Sequence, residues 1–202
     1  MNRIPATGEL RRGGSLARNP RSGKSNRVDV LTPSAHHNLE QNFRVFPLHR
    51  EISPMQQTLI LLKPDAVQRR LVGAITGRFE SKGLRLAGLK LVHTPRDLAE
   101  KHYAVHKGKP FYESLLTFLT SGPTVAMVWE GREAVAVCRN LMGMTDGGKA
   151  APGTIRGDLA LSVQNNLVHG SDSPENAAIE IALWFKSEEL VKYTITDASW
   201  VG

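Results

Sequence analysis

The chain has 202 residues and a single cysteine, so it is long enough for one domain with an appendage, and an internal disulfide framework is excluded. It contains no apolar run near the ~20 residues of a membrane span and no signal-peptide core, so we expect no membrane association. The net charge of +7 is uneven: residues 1–54 hold nine basic and four acidic residues, against seventeen and fifteen in residues 55–202, so the charge is weak support for nucleic-acid binding by the folded part.

Residues 1–54 have the composition of a disordered extension. They are rich in Arg, Ser, Asn, Gly and Pro and show no helical or strand period. Gly23-Lys24-Ser25 imitates the end of a P-loop, but Arg18 stands where that motif needs a glycine, so no P-loop is predicted. We predict a basic, disordered extension over residues 1–54 and one domain over residues 55–202. A cytoplasmic location is expected, with organellar targeting by residues 1–54 as the alternative.

From residue 58 onward, apolar runs alternate with amphipathic stretches. The runs predict strands over 58–62, 84–93 and 124–129, and a short strand at Leu167-Val168. Apolar residues at helical spacing predict helices over 71–82, 95–106, 109–122 and 132–141, another from Ser173, and a short one at 187–190. This order predicts an α/β (α+β) fold, a ferredoxin-like β-α-β-β-α-β sandwich with an antiparallel sheet and additional helices.

His169 stands at the mouth of a strand-to-helix connection. It follows an apolar pair and precedes Gly170 and a cluster of small polar residues. Ser173 and Pro174 then have the pattern of a helix N-cap followed by the first helical position. With little side-chain bulk beside it, this imidazole suits a nucleophile that meets a large anion. The alternative is a histidine in an ordinary polar turn.

Several polar residues interrupt otherwise structured stretches and could gather around His169: Lys63, Arg139, Thr145, Arg156 and Asn166. A lysine and two arginines together suit a polyphosphate, since arginine binds phosphate oxygens in pairs and lysine acts as a point charge. No Walker motif or glycine-rich kinase loop is present. A neutral imidazole can attack phosphorus directly, so the pattern favours a ping-pong phosphoryl transfer through histidine.

Two further features are interpreted as structural. His102 and His106 share one helical face, as in zinc-binding H-E-x-x-H, but position 103 is tyrosine and no third ligand is evident, so zinc is not predicted. Cys138 lies among alanines and valines in a helical pattern and is predicted to be a buried structural thiol.

Four blocks of this sequence closely resemble nucleoside diphosphate kinases: 63–69, 121–131, 152–158 and 166–173. The likeness covers Met55 to about Trp200, in the family's order and spacing, and nothing comparable covers residues 1–54. It implies transfer of the γ-phosphoryl group of a nucleoside triphosphate, typically ATP, to a nucleoside diphosphate through a phosphohistidine. It also implies Mg²⁺ bound mainly through the nucleotide phosphates and a homo-oligomer, either a tetramer or a hexamer.

The resemblance assigns roles to individual residues. His169 matches the phosphorylated histidine, and Ser171 and Glu180 match the pair that orients its ring. Phe111 matches the aromatic residue against which the base stacks, with Leu115 across from it at helical spacing. The residues that hold phosphates and ribose or assist transfer are matched by Lys63, Tyr103, Arg139, Thr145, Arg156 and Asn166. No protein ligand to the metal is implied.

The loop after Arg139 departs from the family pattern. Met144 replaces an acidic residue and Gly147 replaces a proline, which should loosen the loop and weaken the subunit contacts it makes in the family. The alternative function is a regulatory or nucleic-acid-binding protein on the same scaffold that uses the basic tail. A damaged site would favour that alternative, and every site residue of the family is present.

Overall fold

A four-stranded antiparallel sheet is the centre of the fold in the computed structural model, which describes residues 55–196 and 198–201. The strands are β1 (Met55–Leu62), β2 (Arg85–His93), β3 (Pro123–Arg132) and β4 (Val168–Gly170). Their order is β2-β3-β1-β4, and every neighbouring pair is antiparallel. The predicted ferredoxin-like α+β fold is confirmed. The predicted disorder of residues 1–54 lies outside the described residues.

Eight helices accompany the sheet in the described part of the chain: α1 (Pro64–Gln68), α2 (Val72–Ser81), α3 (Arg96–His102), α4 (Tyr112–Thr120), α5 (Ala134–Met142), α6 (Ile155–Leu159), α7 (Pro174–Trp184) and α8 (Ala198–Val201). Short 3₁₀ turns occupy Ala104–His106 and Ser187–Glu189. None of the helices described is long and apolar enough to cross a lipid bilayer.

The helix boundaries follow the capping residues. The predicted start of α7 is confirmed, because the Ser173 hydroxyl accepts the Asn176 N–H at 3.1 Å and Pro174 takes the first helical position. Helices α1, α6 and α8 were not predicted. The predicted helix over 95–106 ends at His102, where the chain tightens into the 3₁₀ turn.

Both faces of the sheet are covered by apolar packing, which explains why β1 is a continuous apolar run. Leu59 to Leu62 are fully buried, and alternate residues of the strand enter two separate cores. The core on one face contains Phe79, Trp129 and Cys138, and the core on the other contains Trp184. Cys138 is buried as predicted, and burial raises the pKa of its thiol to about 12.

The pairing of β1 with β4 brings distant parts of the sequence together. Leu61 lies opposite His169 in the register, and just beyond the pair the Lys63 N–H donates to the Leu167 carbonyl at 2.8 Å. Leu167 has a positive φ of 68°, which is uncommon for a residue with a branched side chain. The end of β1 and the start of β4 therefore form one wall of a cleft.

Candidate active site

Ten of the eleven predicted site residues line one cleft of about 1250 Å³, which also contacts α3, α4, α5 and α7. The ten are Lys63, Tyr103, Phe111, Leu115, Arg139, Thr145, Arg156, Asn166, His169 and Glu180. The eleventh, Ser171, is buried behind them and contacts Glu180. A cleft of this size can hold a whole nucleotide.

His169 is oriented by a carboxylate on the helix that follows it. Its Nε2 lies 2.9 Å from Oε1 of Glu180, and the other carboxylate oxygen accepts the Ser171 hydroxyl at 2.6 Å. Ser171 is itself held in place, because its oxygen accepts the Leu59 N–H of β1 at 3.2 Å. A carboxylate only accepts hydrogen bonds, so Nε2 of His169 carries the proton and Nδ1 keeps a lone pair.

Glu180 stays ionised beside this imidazole. Burial alone would raise the pKa of its carboxyl, but the hydrogen bond and electrostatic attraction of His169, with the Ser171 hydrogen bond, hold that pKa below its ordinary value. An ionised carboxylate against Nε2–H stabilises any positive charge that the ring gains.

Lys63 lies at the start of α1, directly after β1, and is only 6% exposed. Its ammonium group donates to the Asn166 side-chain carbonyl, and the Asn166 amide donates to the Thr145 carbonyl at 2.9 Å. Burial lowers the pKa of Lys63 to about 8; Asp65 opposes this shift and Arg156 adds to it. The sequence predicted a cation at this strand end, but not one that ionises so close to neutral pH.

Arg156 combines a charge with a structural function. All three guanidinium nitrogens donate to backbone carbonyls: Nε to Asn166 at 3.2 Å, and the terminal nitrogens to Gly143 and Val168 at 2.7 Å. Burial and the nearby charge of Arg139 lower its pKa to about 10, so it remains a cation at neutral pH. Arg156 thus ties α6 to the loop after α5 and to β4, which carries His169.

Aromatic groups also line the cleft. Tyr103 is buried, and burial together with Glu180 raises the pKa of its phenol to about 12. Phe111, at the start of α4, is 47% exposed, and Leu115 follows it one turn later on the cleft side. An exposed aromatic ring at the rim of a cationic cleft offers a flat surface to a base.

The loop after α5 is packed more tightly than the sequence suggested. Gly147 is buried, and a Cβ at this position would lie 2.6 Å from the Cβ of Ala160. Asp146 accepts the Gly148 N–H at 3.1 Å and lies 3.5 Å from the Lys149 ammonium. Met144 is 59% exposed on the cleft side. Close backbone packing at Gly147 thus takes the place of the restraint that a proline would give.

One buried pair beside His169 was not predicted. Its histidine, His102, has a fully buried side chain, and its Nδ1 accepts the Trp184 indole N–H at 3.2 Å. Its ring contacts the ring of His169 edge to face, with centroids 4.5 Å apart. One signal for this position is present in the sequence: a histidine on the buried face of α3, three residues after Ala99.

His102 and His106 have different surroundings, whereas two ligands of one metal site would face the same point. Nδ1 of His106 lies 3.3 Å from the Lys109 ammonium, whereas His102 faces α7. Among the described residues, one group of three potential metal ligands lies within 4.8 Å: His102, His169 and Glu180. That group contains the pair that orients His169.

The whole cleft falls within a segment that matches a known family. The family model described as Nucleoside diphosphate kinase matches residues 56–190. Nucleoside diphosphate kinases of Carboxydothermus hydrogenoformans and Thermomicrobium roseum are 58% and 56% identical over 147 residues, which are 73% of this chain and 99% of each relative.

Solved structures agree with the sequence match. A halophilic nucleoside diphosphate kinase from Halobacterium salinarum, in complex with CDP, superposes with a TM-score of 0.72 at 46% identity, covering 74% of this chain and 99% of that one. A nucleoside diphosphate kinase family protein from Babesia bovis gives a TM-score of 0.71, also at 46% identity, with 73% and 99% covered.

Proposed function

The chain belongs to the nucleoside diphosphate kinase family, and we propose that His169 is the residue that carries the phosphoryl group between the two nucleotides. The observation behind this assignment is the 2.9 Å contact between Nε2 of His169 and Glu180. Because Nε2–H is committed to the carboxylate, Nδ1 is the nitrogen whose lone pair can attack phosphorus.

In the first half of the reaction, Nδ1 attacks the γ-phosphorus of a nucleoside triphosphate, typically ATP. The N–P bond forms as the bond from the γ-phosphorus to the bridging oxygen breaks, and that electron pair leaves on the nucleoside diphosphate. No proton has to move, because Nε2–H stays donated to Glu180. The carboxylate charge offsets the positive charge that the imidazole acquires.

The second half reverses these steps with another nucleotide. An oxygen of the acceptor's terminal phosphate attacks the phosphorus, the N–P bond breaks, and its electron pair returns to Nδ1. Both nucleotides use one cleft in turn, which is the ping-pong order.

The cations of the cleft are assigned to the phosphates. Lys63, Arg139 and Arg156 all line the cleft that contains His169, and their charge would stabilise the negative charge that is redistributed during transfer. Thr145 and Asn166 would add neutral hydrogen bonds to phosphate or ribose, and the neutral Tyr103 phenol can donate one. Phe111 would stack on the base, with Leu115 beside it; stacking without base-edge hydrogen bonds would accept every nucleobase.

Magnesium fits this cleft as an ion held by the nucleotide. Mg²⁺ prefers oxygen ligands, keeps several waters and binds through substrate phosphates, whereas the group of potential ligands described above has two imidazoles and one carboxylate. When bound, the ion would supply charge neutralisation on the phosphates. No residue of this chain is assigned to it as a ligand.

We further propose a homo-oligomer, either a tetramer or a hexamer. Strand β2 is an edge of the sheet, and two of its leucines, Leu89 and Leu91, are 52% and 63% exposed. An apolar sheet edge is suited to contact with a second copy. Light scattering of the purified chain should give a mass of four or six copies, and a monomer would contradict the proposal.

A cytoplasmic location is proposed because the single cysteine, Cys138, is buried and unpaired within the part of the chain that is described. Organellar targeting by residues 1–54 is the alternative. Imaging of a tagged full chain and of a chain that begins at Met55 distinguishes the two locations.

The assignment of His169 is tested by incubation with ATP labelled at the γ-phosphate. We expect the chain to become labelled, with label that survives base, is lost in acid and passes to an added nucleoside diphosphate. His169→Ala should take up no label, whereas His93→Ala, which changes an exposed histidine on β2, should behave as the unmodified chain. Stable labelling of His169→Ala would remove the basis for the assignment.

The alternative of a regulatory or nucleic-acid-binding protein on the same scaffold is not supported. The relatives described above are named as kinases. Every site residue that the resemblance to the family implies is present in this chain.

A further inference from the structure

His102 and Trp184 form a buried pair directly behind His169. The indole N–H of Trp184 donates to Nδ1 of His102 at 3.2 Å, and Nδ1 also lies 4.0 Å from Oε1 of Glu180. That oxygen is the one that accepts Nε2–H of His169. One nitrogen of His102 therefore lies between an obligatory donor and the carboxylate that orients the nucleophile.

The Trp184 indole determines which nitrogen of His102 carries the proton. An indole N–H can only donate, so Nδ1 must be the acceptor and the proton of a neutral His102 must reside on Nε2. Nε2 is buried and has no hydrogen-bond partner within the described residues. A buried N–H without an acceptor is costly. Without the Trp184 contact, the tautomer with the proton on Nδ1 would therefore be favoured.

The opposite tautomer would disturb the nucleophile. With the proton on Nδ1, His102 could donate to Oε1 of Glu180 after closing the 4.0 Å gap, while Nε2 would become a less costly buried acceptor. Oε1 would then be shared between two imidazoles, and the hydrogen bond that orients His169 would weaken. In the native arrangement the Trp184 N–H prevents this competition.

We propose that Trp184 and His102 are positioning residues for the reaction: Trp184 holds His102 in the Nε2–H tautomer and so reserves Oε1 of Glu180 for His169. This inference rests on the proposed role of His169 as the phosphoryl acceptor. It adds the pair of Trp184 and His102 to Glu180 and Ser171 as residues that orient the His169 ring.

The charged and titratable groups that face His102 agree with a neutral ring. Burial, helped by His169 and His106 and opposed by Glu180, lowers the pKa of His102 to about 3. Tyr103, the adjacent aromatic group, is held neutral by burial. At neutral pH the choice for His102 is therefore between two neutral tautomers and not between two charges.

The first experiment needs no nucleotide, and its measurement is made on the unmodified chain. In the full chain labelled with ¹⁵N-histidine, NMR distinguishes protonated from unprotonated ring nitrogens, and the signals of His102 are those absent from His102→Leu. We expect His102 to be protonated on Nε2 and unprotonated on Nδ1. Protonation on Nδ1 would overturn the proposal whether or not His169 proves to carry phosphate.

The second experiment removes the donor while keeping an aromatic ring. In Trp184→Phe we expect the His102 proton to move to Nδ1 and kcat to fall roughly 3- to 10-fold, as for the loss of one hydrogen bond. KM should not change, because Trp184 is not part of the cleft lining. Trp129→Phe is the matched control: its buried indole nitrogen has no partner in the described structure and lies in the other core, so tautomer and kcat should stay the same.

A double-mutant cycle decides whether Trp184 acts through His102. In the His102→Leu background, Trp184→Phe should cause no further fall in kcat. An equal fall in both backgrounds, or an unchanged His102 tautomer in Trp184→Phe, would overturn the proposal. If Trp184→Phe fails to fold, the tautomer of the unmodified chain still decides it.

Discussion

Nε2 of His169 and Oε1 of Glu180 lie 2.9 Å apart, although eleven residues separate them in the chain. The contact exists because β4 ends at Gly170 and α7 begins at Pro174, so the second turn of the helix, which carries Glu180, passes beside the strand. The second oxygen of Glu180 is taken by Ser171, so the carboxylate cannot rotate without losing a hydrogen bond.

Glu180→Gln should slow transfer without weakening nucleotide binding. The amide keeps the size and hydrogen-bonding reach of the side chain but removes the negative charge that stabilises the phosphorylated imidazole. We expect kcat to fall on the order of 100-fold, with KM little changed, measured by steady-state transfer from ATP to a diphosphate.

Glu175→Gln, an exposed position in the first turn of the same helix, is the control and should leave kcat unchanged. A fall confined to KM would show that Glu180 contributes to binding and not to the transfer step.

Lys63 should give the reaction an alkaline limit. Its pKa is lowered to about 8, so the group is a cation below that pH and becomes neutral above it. Because only the cation attracts phosphate, kcat/KM should fall as pH rises through about 8, and kcat/KM reports the ionisation of the enzyme without substrate.

The residual activity of Lys63→Gln should lack this limit. Lys149→Gln, which removes a cation that is 74% exposed in the same cleft, should keep it. An alkaline limit that persists in Lys63→Gln would assign the ionisation to another group.

Phe111→Ala should weaken nucleotide binding for purines and pyrimidines alike. The ring is 47% exposed, so its loss removes a stacking surface and few core contacts. We expect KM for nucleoside diphosphates to rise roughly 5- to 10-fold, with Phe111→Tyr close to the unmodified chain.

Leu161→Ala removes another exposed apolar side chain, 92% exposed and not part of the cleft lining, and should leave KM unchanged. A strong preference for one base after Phe111→Ala would argue against stacking as the main contact.

Gly147→Ala should destabilise the domain by about 1–3 kcal/mol, because its Cβ would overlap Ala160. Gly147→Pro places a Cβ at the same point, so it should also lower the melting temperature instead of tightening the loop. Gly77→Ala, in the middle of α2 with nothing within 4 Å of its Cβ, should raise stability by about 0.5–1 kcal/mol. Equal melting temperatures for Gly147→Ala and Gly77→Ala would contradict the overlap.

Deletion of residues 1–54 should leave turnover nearly unchanged, since all the predicted site residues lie between Lys63 and Glu180. Transfer assays on the full and truncated chains check this, and a large loss of folding or activity would show that the segment is not an appendage. DNA binding by the full chain only, weakening with salt, would instead assign the basic tail a nucleic-acid contact.

The parts of this fold that were predictable from sequence are local in origin. The apolar run ending at Lys63 determined both a strand and the position of a cation at its end, and Ser173-Pro174 set the start of α7. Site residues that interrupt regular patterns, such as His169 and Arg156, were recognisable because folding alone seldom requires a charged or nucleophilic side chain at such positions.

What was not predictable depends on contacts between distant segments. His102 and Trp184 are separated by 82 residues, and each alone has the pattern of a core residue in a helix. The three carbonyl contacts of Arg156 depend on how α6 lies against the loop after α5 and against β4 with the residues before it, and no spacing in the sequence encodes that packing. The depressed pKa of Lys63 likewise requires its burial to be known.

The pairing of β1 with β4 has a consequence for how the enzyme is made. The Leu59 N–H and the Ser171 hydroxyl that it contacts are 112 residues apart, so this wall of the cleft closes only when the two ends of the domain meet. During synthesis from the N-terminus, Lys63 is present long before His169 and Glu180 leave the ribosome. A nascent chain that does not yet reach Glu180 therefore cannot take phosphate from ATP, and the catalyst becomes active only when nearly the whole domain has been made.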